Sequence, residues 1–154
     1  MERLTKEDQE RLQRILGQLS GYQAAVDALR QQISILATSL TELSMTVGAI
    51  KNLKELKPDT EILVPIGSDS FITAKLALSD KVITGLGADV SAERKADDAI
   101  QVLEARGKEI EEAIERAREE LGRLEERIEA LRPEAERILQ KTREEPSGRG
   151  AADV

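Results

Sequence analysis

Apolar residues recur along the first third of the chain at alternating steps of three and four, through Leu12, Ile15, Leu19, Tyr22, Val26, Leu29, Ile33, Leu36, Leu40, Leu43, Val47 and Ile50. That spacing puts them on one narrow side of a helix. Sustained beyond three or four heptads, it is the pattern of a coiled coil. The same spacing returns through Ile100, Leu103, Gly107, Ile110, Ile114, Ala117, Leu121, Leu124, Ile128, Leu131, Ala135 and Ile138. Each seam covers 39 residues, or roughly 58 Å of helix at 1.5 Å per residue.

Equal arms on either side of a central insert predict that the two helices pair with each other, antiparallel because the chain must return. Setting Ile50 opposite Ile100 and Leu12 opposite Ile138 makes the numbers of every facing pair add to 150. Each a position then meets a d position. Residues 1–58 carry 8 basic and 7 acidic side chains, whereas residues 97–141 carry 9 and 14. A balanced arm against an acidic one favours this pairing over self-association of the second arm.

The seam widens at the end remote from the insert, where Leu16 and Leu139 add apolar side chains at e positions. Two helices consume their a/d stripes on each other, so this pair forms either a locally thicker core or a binding patch. Pro133 lies at the same level as Gly17, with Gly21 one turn further in. A proline removes a helix hydrogen bond and is expected to kink or restart the helix, so the ends are expected to flare.

Between the arms the period changes to that of strands. Pro58-Asp59 ends the first arm; extended segments follow at Glu61–Ile66, Phe71–Leu78, Lys81–Thr84 and around Val90–Ala92. Gly67-Ser68-Asp69-Ser70 and Gly85–Asp89 separate them as two hairpins. Ile72, Ala74, Leu76 and Leu78 alternate as one face expected to be buried. Isolated two-stranded hairpins are marginal in water, so this face is expected to be completed by strands of other subunits, or by folding back on its own helices. Pro65 reads as an edge or strand end. The resulting segments are 1–58, 59–92, 93–141 and a polar tail at 142–154, expected to be disordered. The fold class is α+β and mostly α: a long antiparallel coiled-coil hairpin with two β-hairpins inserted between its helices.

Composition narrows the possible chemistry. Of 154 residues 34% are charged and 1% aromatic, namely Tyr22 and Phe71. A thin aliphatic seam suits that composition better than the thick core of a compact enzyme. The chain has no His and no Cys, which excludes Ser–His–Asp and Cys–His catalysis, thiolate or imidazole metal sites and disulfides. A net charge of −7 argues against a nucleic-acid partner. No apolar run is expected to span a membrane, and the charged N-terminus does not read as a signal peptide. The chain is therefore expected in the cytoplasm.

Acidic pairs such as Glu111-Glu112, Glu119-Glu120 and Glu125-Glu126 fall on outer helix faces. Those faces lack the shielded cleft that general acid–base work requires. Asp97-Asp98 complements a helix N-terminus rather than binding a metal. Lys51, Lys54 and Lys57 read as a solvated stripe. Gly85-x-Gly87 is not a dinucleotide fingerprint, and no phosphate-binding loop motif is present. No catalytic residue, cofactor or metal is expected.

The order of elements carries a specific resemblance. Leu63-Val64-Pro65-Ile66-Gly67, then Phe71-Ile72-Thr73-Ala74, then Asp80-Lys81-Val82-Ile83-Thr84-Gly85-Leu86-Gly87-Ala88, set between matched helical arms, resembles the alpha class of prefoldin over roughly residues 5–141. Two hairpins instead of one point to that class. The resemblance implies a hexamer of two alpha and four beta subunits, whose hairpins join in a β-barrel platform bearing the coiled coils as tentacles. It further implies an ATP-independent chaperone that captures non-native proteins at the tips and passes them to a group II chaperonin. Assembly would then use Leu63, Val64, Ile66, Ile72, Ala74, Leu76, Val82, Ile83 and Val90. Client capture would use Leu4, Leu12, Ile15, Leu16, Ile138 and Leu139. The competing expectation is a coiled-coil scaffold or tether without clients.

Overall fold

The computed structural model describes residues 4–77 and 80–143. In chain order these form α1 (Lys6–Lys54), β1 (Glu61–Gly67), β2 (Ser70–Lys75), β3 (Lys81–Gly87), β4 (Val90–Lys95) and α2 (Ala96–Arg143). The expected class is the one found: two long helices with two antiparallel hairpins between them. The expected disordered tail falls almost wholly outside the described residues, as does Leu78.

The chain divides into two compact units. One combines residues 1–34 with 115–154, and the other is the continuous segment 35–114.

In the first unit α1 starts at a Thr5 cap. The Thr5 hydroxyl accepts from the Asp8 amide at 3.1 Å, satisfying one of the donors that a helix start leaves open. Two aliphatic clusters join the helices. Ile15, Ala135 and Ile138 are buried together, with Leu4, Leu12, Leu19 and Leu131 packed around them. Val26, Leu124 and Ile128 form the second, bordered by Tyr22, Leu29 and Leu121. Ile15 with Ala135 and Val26 with Leu124 reproduce the antiparallel register read from the sequence. Arg127 lies 5.9 Å over the Tyr22 ring, a cation–π contact.

The ends of this unit do not flare. Helix α2 passes through Pro133 without interruption, and the buried cluster lies on both sides of it. Pro133 is itself exposed, so its ring meets solvent. Burial of Leu131, Ala135 and Ile138 offsets the one hydrogen bond lost.

In the second unit Val47, Ile50, Ala96, Ala99 and Ile100 form the core, with Leu43, Leu103 and Val82 against it. Lys51 pairs with Glu104 at 3.4 Å, and Lys54 with Asp97. The lysine stripe is thus partly an ion-pair edge between the helices, tying the end of α1 to the start of α2.

Both hairpins turn through the same geometry. Ser68 and Asp69 have φ of 48° and 57°, and Ala88 and Asp89 have 49° and 60°. Two successive positive φ values make the type I′ turn whose twist matches a hairpin. Gly67 and Gly87 precede them at φ 109° and 91°, a region L side chains rarely enter, and the register shifts by a residue just before each. The second hairpin extends beyond the segment around Val90–Ala92 that strand periodicity marks. Lys81↔Lys95, Val82↔Arg94 and Ile83↔Glu93 are paired, so β4 runs past residue 92 and α2 begins at Ala96. Cross-strand pairing overrides the helix propensity of Glu93, Arg94 and Lys95. In the first hairpin β2 stops at Lys75, and β1 continues through Pro65.

One further expectation needs correction. By length and composition a segment of α1 is apolar enough to cross a membrane, although no run is uninterrupted. Glu42 is the single charge between Gln32 and Ile50, and the Ser and Thr residues spread through that stretch are weakly polar.

Candidate functional site

Two surfaces stand out because they leave large apolar side chains in water. The first lies on the hairpins of the second unit. On β1 and β2, Leu63, Pro65 and Phe71 share one face by alternation, and Leu63 and Phe71 are 67% and 57% exposed. Ile62, Val64, Ile72 and Ala74 share the other face. Ile62, Val64 and Ala74 are half-buried, while Ile72 is half exposed. The expected buried face is therefore incomplete within one chain.

The second hairpin is asymmetric. Val82, Thr84, Ala92 and Arg94 occupy its covered face, where Val82 packs on the helix core and Thr84 is buried. Ile83, on the opposite face, is 75% exposed. Ile66 and Val90, beside the two turns, are also exposed, and Leu76 is half-buried. Of the nine residues expected to mediate assembly, Leu63, Ile66, Ile72, Ile83 and Val90 are thus available. Val64, Ala74, Leu76 and Val82 are partly covered by their own chain. Phe71 belongs with the exposed set. Alternation sets it apart from the Ile72–Ala74 face but does not say which face stays open.

The second surface lies in the first unit. Across the seam, flanking residues pair in two ways. Arg11 and Glu134 meet at 2.8 Å at g positions, and Arg30 and Glu125 at 3.1 Å at e positions. The step from Arg30 back to Leu16, and from Glu125 on to Leu139, is two heptads in each arm. The same register therefore places Leu16 and Leu139 opposite each other at the matching e–e′ position. They are 48% and 45% exposed. Where the charged pair closes the flank with ions, this pair leaves aliphatic surface in water.

The other residues expected at the tip behave differently. Ile15 and Ile138 are buried, and Leu4 and Leu12 pack against them. Ile15 and Ile138 form the core beneath the exposed pair, and Leu4 and Leu12 border it half-buried. The ion pair Asp8–Lys141 at 3.6 Å and the pair Arg11–Glu134 border this core.

A third feature is a shallow groove of about 330 Å³ in the second unit. Leu40, Leu43 and Val47 line it opposite Glu104, Lys108 and Glu111. It exists because Gly107 occupies a seam position without a side chain. It is a shallow, open groove with an aliphatic wall from α1 and a charged wall from α2. Among the described residues no three acidic groups converge as a metal site.

The family described as "Prefoldin subunit" matches residues 22–141. Among curated relatives, the prefoldin subunit alpha of Methanopyrus kandleri is 32% identical over 75% of this chain and 74% of its own. The putative prefoldin subunit alpha of Aquifex aeolicus is 34% identical over 88% and 91%, and the prefoldin subunit alpha of Pyrococcus horikoshii 34% over 77% and 81%. Among solved structures, filamentous PFD from Methanocaldococcus jannaschii superposes with a TM-score of 0.68 at 27% identity, over 77% of this chain and 98% of that one. The prefoldin beta subunit of Thermococcus strain KS-1, 18% identical, shares the fold with a TM-score of 0.56 over 90% and 97%.

Proposed function

The chain belongs to the prefoldin family and is a chaperone-type subunit; from that premise we propose that it works as an ATP-independent holdase. In this reading it assembles through its hairpins with prefoldin beta subunits and a second alpha subunit, as an α2β4 hexamer with a barrel-like platform. It acts in the cytoplasm, holds non-native proteins and passes them to a group II chaperonin. The observation that carries client capture is the matched, half-exposed pair Leu16 and Leu139, at a flank position that elsewhere carries an ion pair.

The physical basis is simple. Each apolar contact contributes about 25 cal/mol per Å² removed from water, so one helix pair holds an unfolded segment weakly and reversibly. Several such pairs on one assembly raise the effective affinity by 10²–10⁴ without any new chemistry. No step in this cycle needs a nucleophile, an acid–base pair or a nucleotide.

Aggregation of a chemically unfolded test protein, followed by light scattering with the assembled complex present, tests this. Wild type should suppress scattering without ATP, and Leu16→Ser/Leu139→Ser, at the two exposed positions, should suppress it less. Unchanged suppression by the variant would reject the Leu16–Leu139 assignment. A wild-type complex with no effect, that instead retains one folded partner, would favour the scaffold reading.

A further inference from the structure

We propose that the groove beside Gly107 is a separate capture site for client protein, and that its occupant is a short amphipathic helix with a basic edge. The inference rests on the holdase reading above and adds to it a place along the helices and a class of client segment.

The groove follows from one missing side chain. Gly107 holds the seam position between Leu103 and Ile110. A β-carbon there would touch both Leu43 and Leu40, so these two leucines form the floor, and about 330 Å³ stands open above them. That volume lies at the lower end of the range of ligand pockets.

Beside the floor the wall of α1 is low. Thr41, Ser44 and Gly48 follow one another at b and e positions on this side of the helix, and all are small. The distance between packed helices depends on the side chains at their contact, so a further helix can lie close here. The Thr41 hydroxyl donates to the Ala37 carbonyl at 3.0 Å, so covering it strands no donor. Met45, within one turn of both Thr41 and Gly48, is 70% exposed and stands at the outer margin. Its unbranched thioether adapts to different partners. An amphipathic helix in a groove, with an aliphatic anchor over Leu40 and Leu43, uses all of these features.

Charge selects the partner. On this flank Lys51 and Glu104 pair across the seam at e positions, 3.4 Å apart. One heptad further along each arm, the same register sets Ser44 opposite Glu111. Serine cannot neutralise a carboxylate, and Glu111 has no ion-pair partner among the described residues. Between Ile35 and Ile50 the one charge is Glu42, and from Glu104 to Glu112 four carboxylates accompany Arg106 and Lys108. The surroundings are therefore acidic by three charges. They repel an acidic segment and a second copy of this chain, itself at −7, and favour a lysine or arginine placed to reach Glu111.

The probe is a fluorescein-labelled 14-residue peptide of Leu and Lys in helical amphipathic spacing, with a Leu/Glu peptide of the same pattern as control. Anisotropy is read on the assembled complex carrying Leu16→Ser/Leu139→Ser, so that binding at the tip does not contribute. The Leu/Lys peptide should bind, and the Leu/Glu peptide about tenfold more weakly. Gly107→Leu fills the gap and should weaken binding about tenfold, as expected for losing one buried aliphatic anchor. Glu111→Lys, at an exposed position, leaves the fold intact and should weaken it about fivefold at low salt. Unchanged affinity in both variants, equal affinity for the two peptides, or no binding once the tip is altered would overturn the proposal. Peptide-free complexes that self-associate, or that sediment with phosphatidylcholine vesicles, through a contact abolished by Gly107→Leu would assign the groove to a second copy or a lipid surface and overturn it equally. A wild-type complex that suppresses aggregation while the peptide ignores the groove rejects this proposal alone. One that does neither rejects the holdase reading with it.

Discussion

Gly107 sits directly against Leu43: a methyl group built on its α-carbon would lie 3.4 Å from Leu43 Cδ2 and 3.7 Å from Leu40 Cδ1. These are ordinary van der Waals distances, and the space beyond is the groove left by the missing seam side chain. Gly107→Ala should therefore gain packing as well as the roughly 1 kcal/mol by which Ala exceeds Gly in a helix interior. We expect about 1 kcal/mol of added stability, seen by circular dichroism as a rise in Tm of about 2–4 °C.

Val26 is 1% exposed and shares its cluster with Leu124 and Ile128. Removing two of its methyl groups leaves a cavity that the helix backbones cannot close, so Val26→Ala should cost about 2 kcal/mol in urea unfolding. Leu16→Ala, at a half-exposed position, should cost well under half as much. If both substitutions destabilise equally, Leu16 belongs to the core and not to a free surface.

Ala88 holds φ at 49° in the turn between β3 and β4. The left-handed region costs a residue with a Cβ about 1 kcal/mol, which glycine does not incur. Ala88→Gly should stabilise the second hairpin, read as slower amide exchange in β3 and β4 with little change in the helices. Gly87→Ala, at φ 91°, should do the opposite.

Arg30 and Glu125 are both largely exposed, with side chains 60% and 49% accessible. Solvent screening keeps such pairs small, so a double-mutant cycle should return a coupling of about 0.2–1 kcal/mol at low salt. The coupling should fade at 1 M salt, where the screening length is about 3 Å. Persistence at high salt would mean that the pair is held by packing.

The heptad seam was readable from spacing alone, down to register, because a helix converts sequence separation into angular position by a fixed rotation. Ile15 with Ala135 and Val26 with Leu124 follow from counting. The hairpins were readable as elements, since Gly67 and Gly87 mark the turns, but not in extent. Glu93, Arg94 and Lys95 favour helix by themselves and become strand because Ile83, Val82 and Lys81 pair with them. The candidate client surface was half legible. Leu16 and Leu139 announce themselves by lying outside the seam, whereas Ile15 and Ile138 lie within it and are covered by each other.

Sequence alone thus determined the two paired helices, their register, the inserted hairpins and the absence of catalytic His and Cys. Those properties depend on residue type and on periodicities local to the chain. Tertiary structure decided which apolar residues remain in water and how far β4 extends. These depend on groups distant in sequence, such as Val82 against the core of Val47 and Ile100, whose proximity no local period encodes.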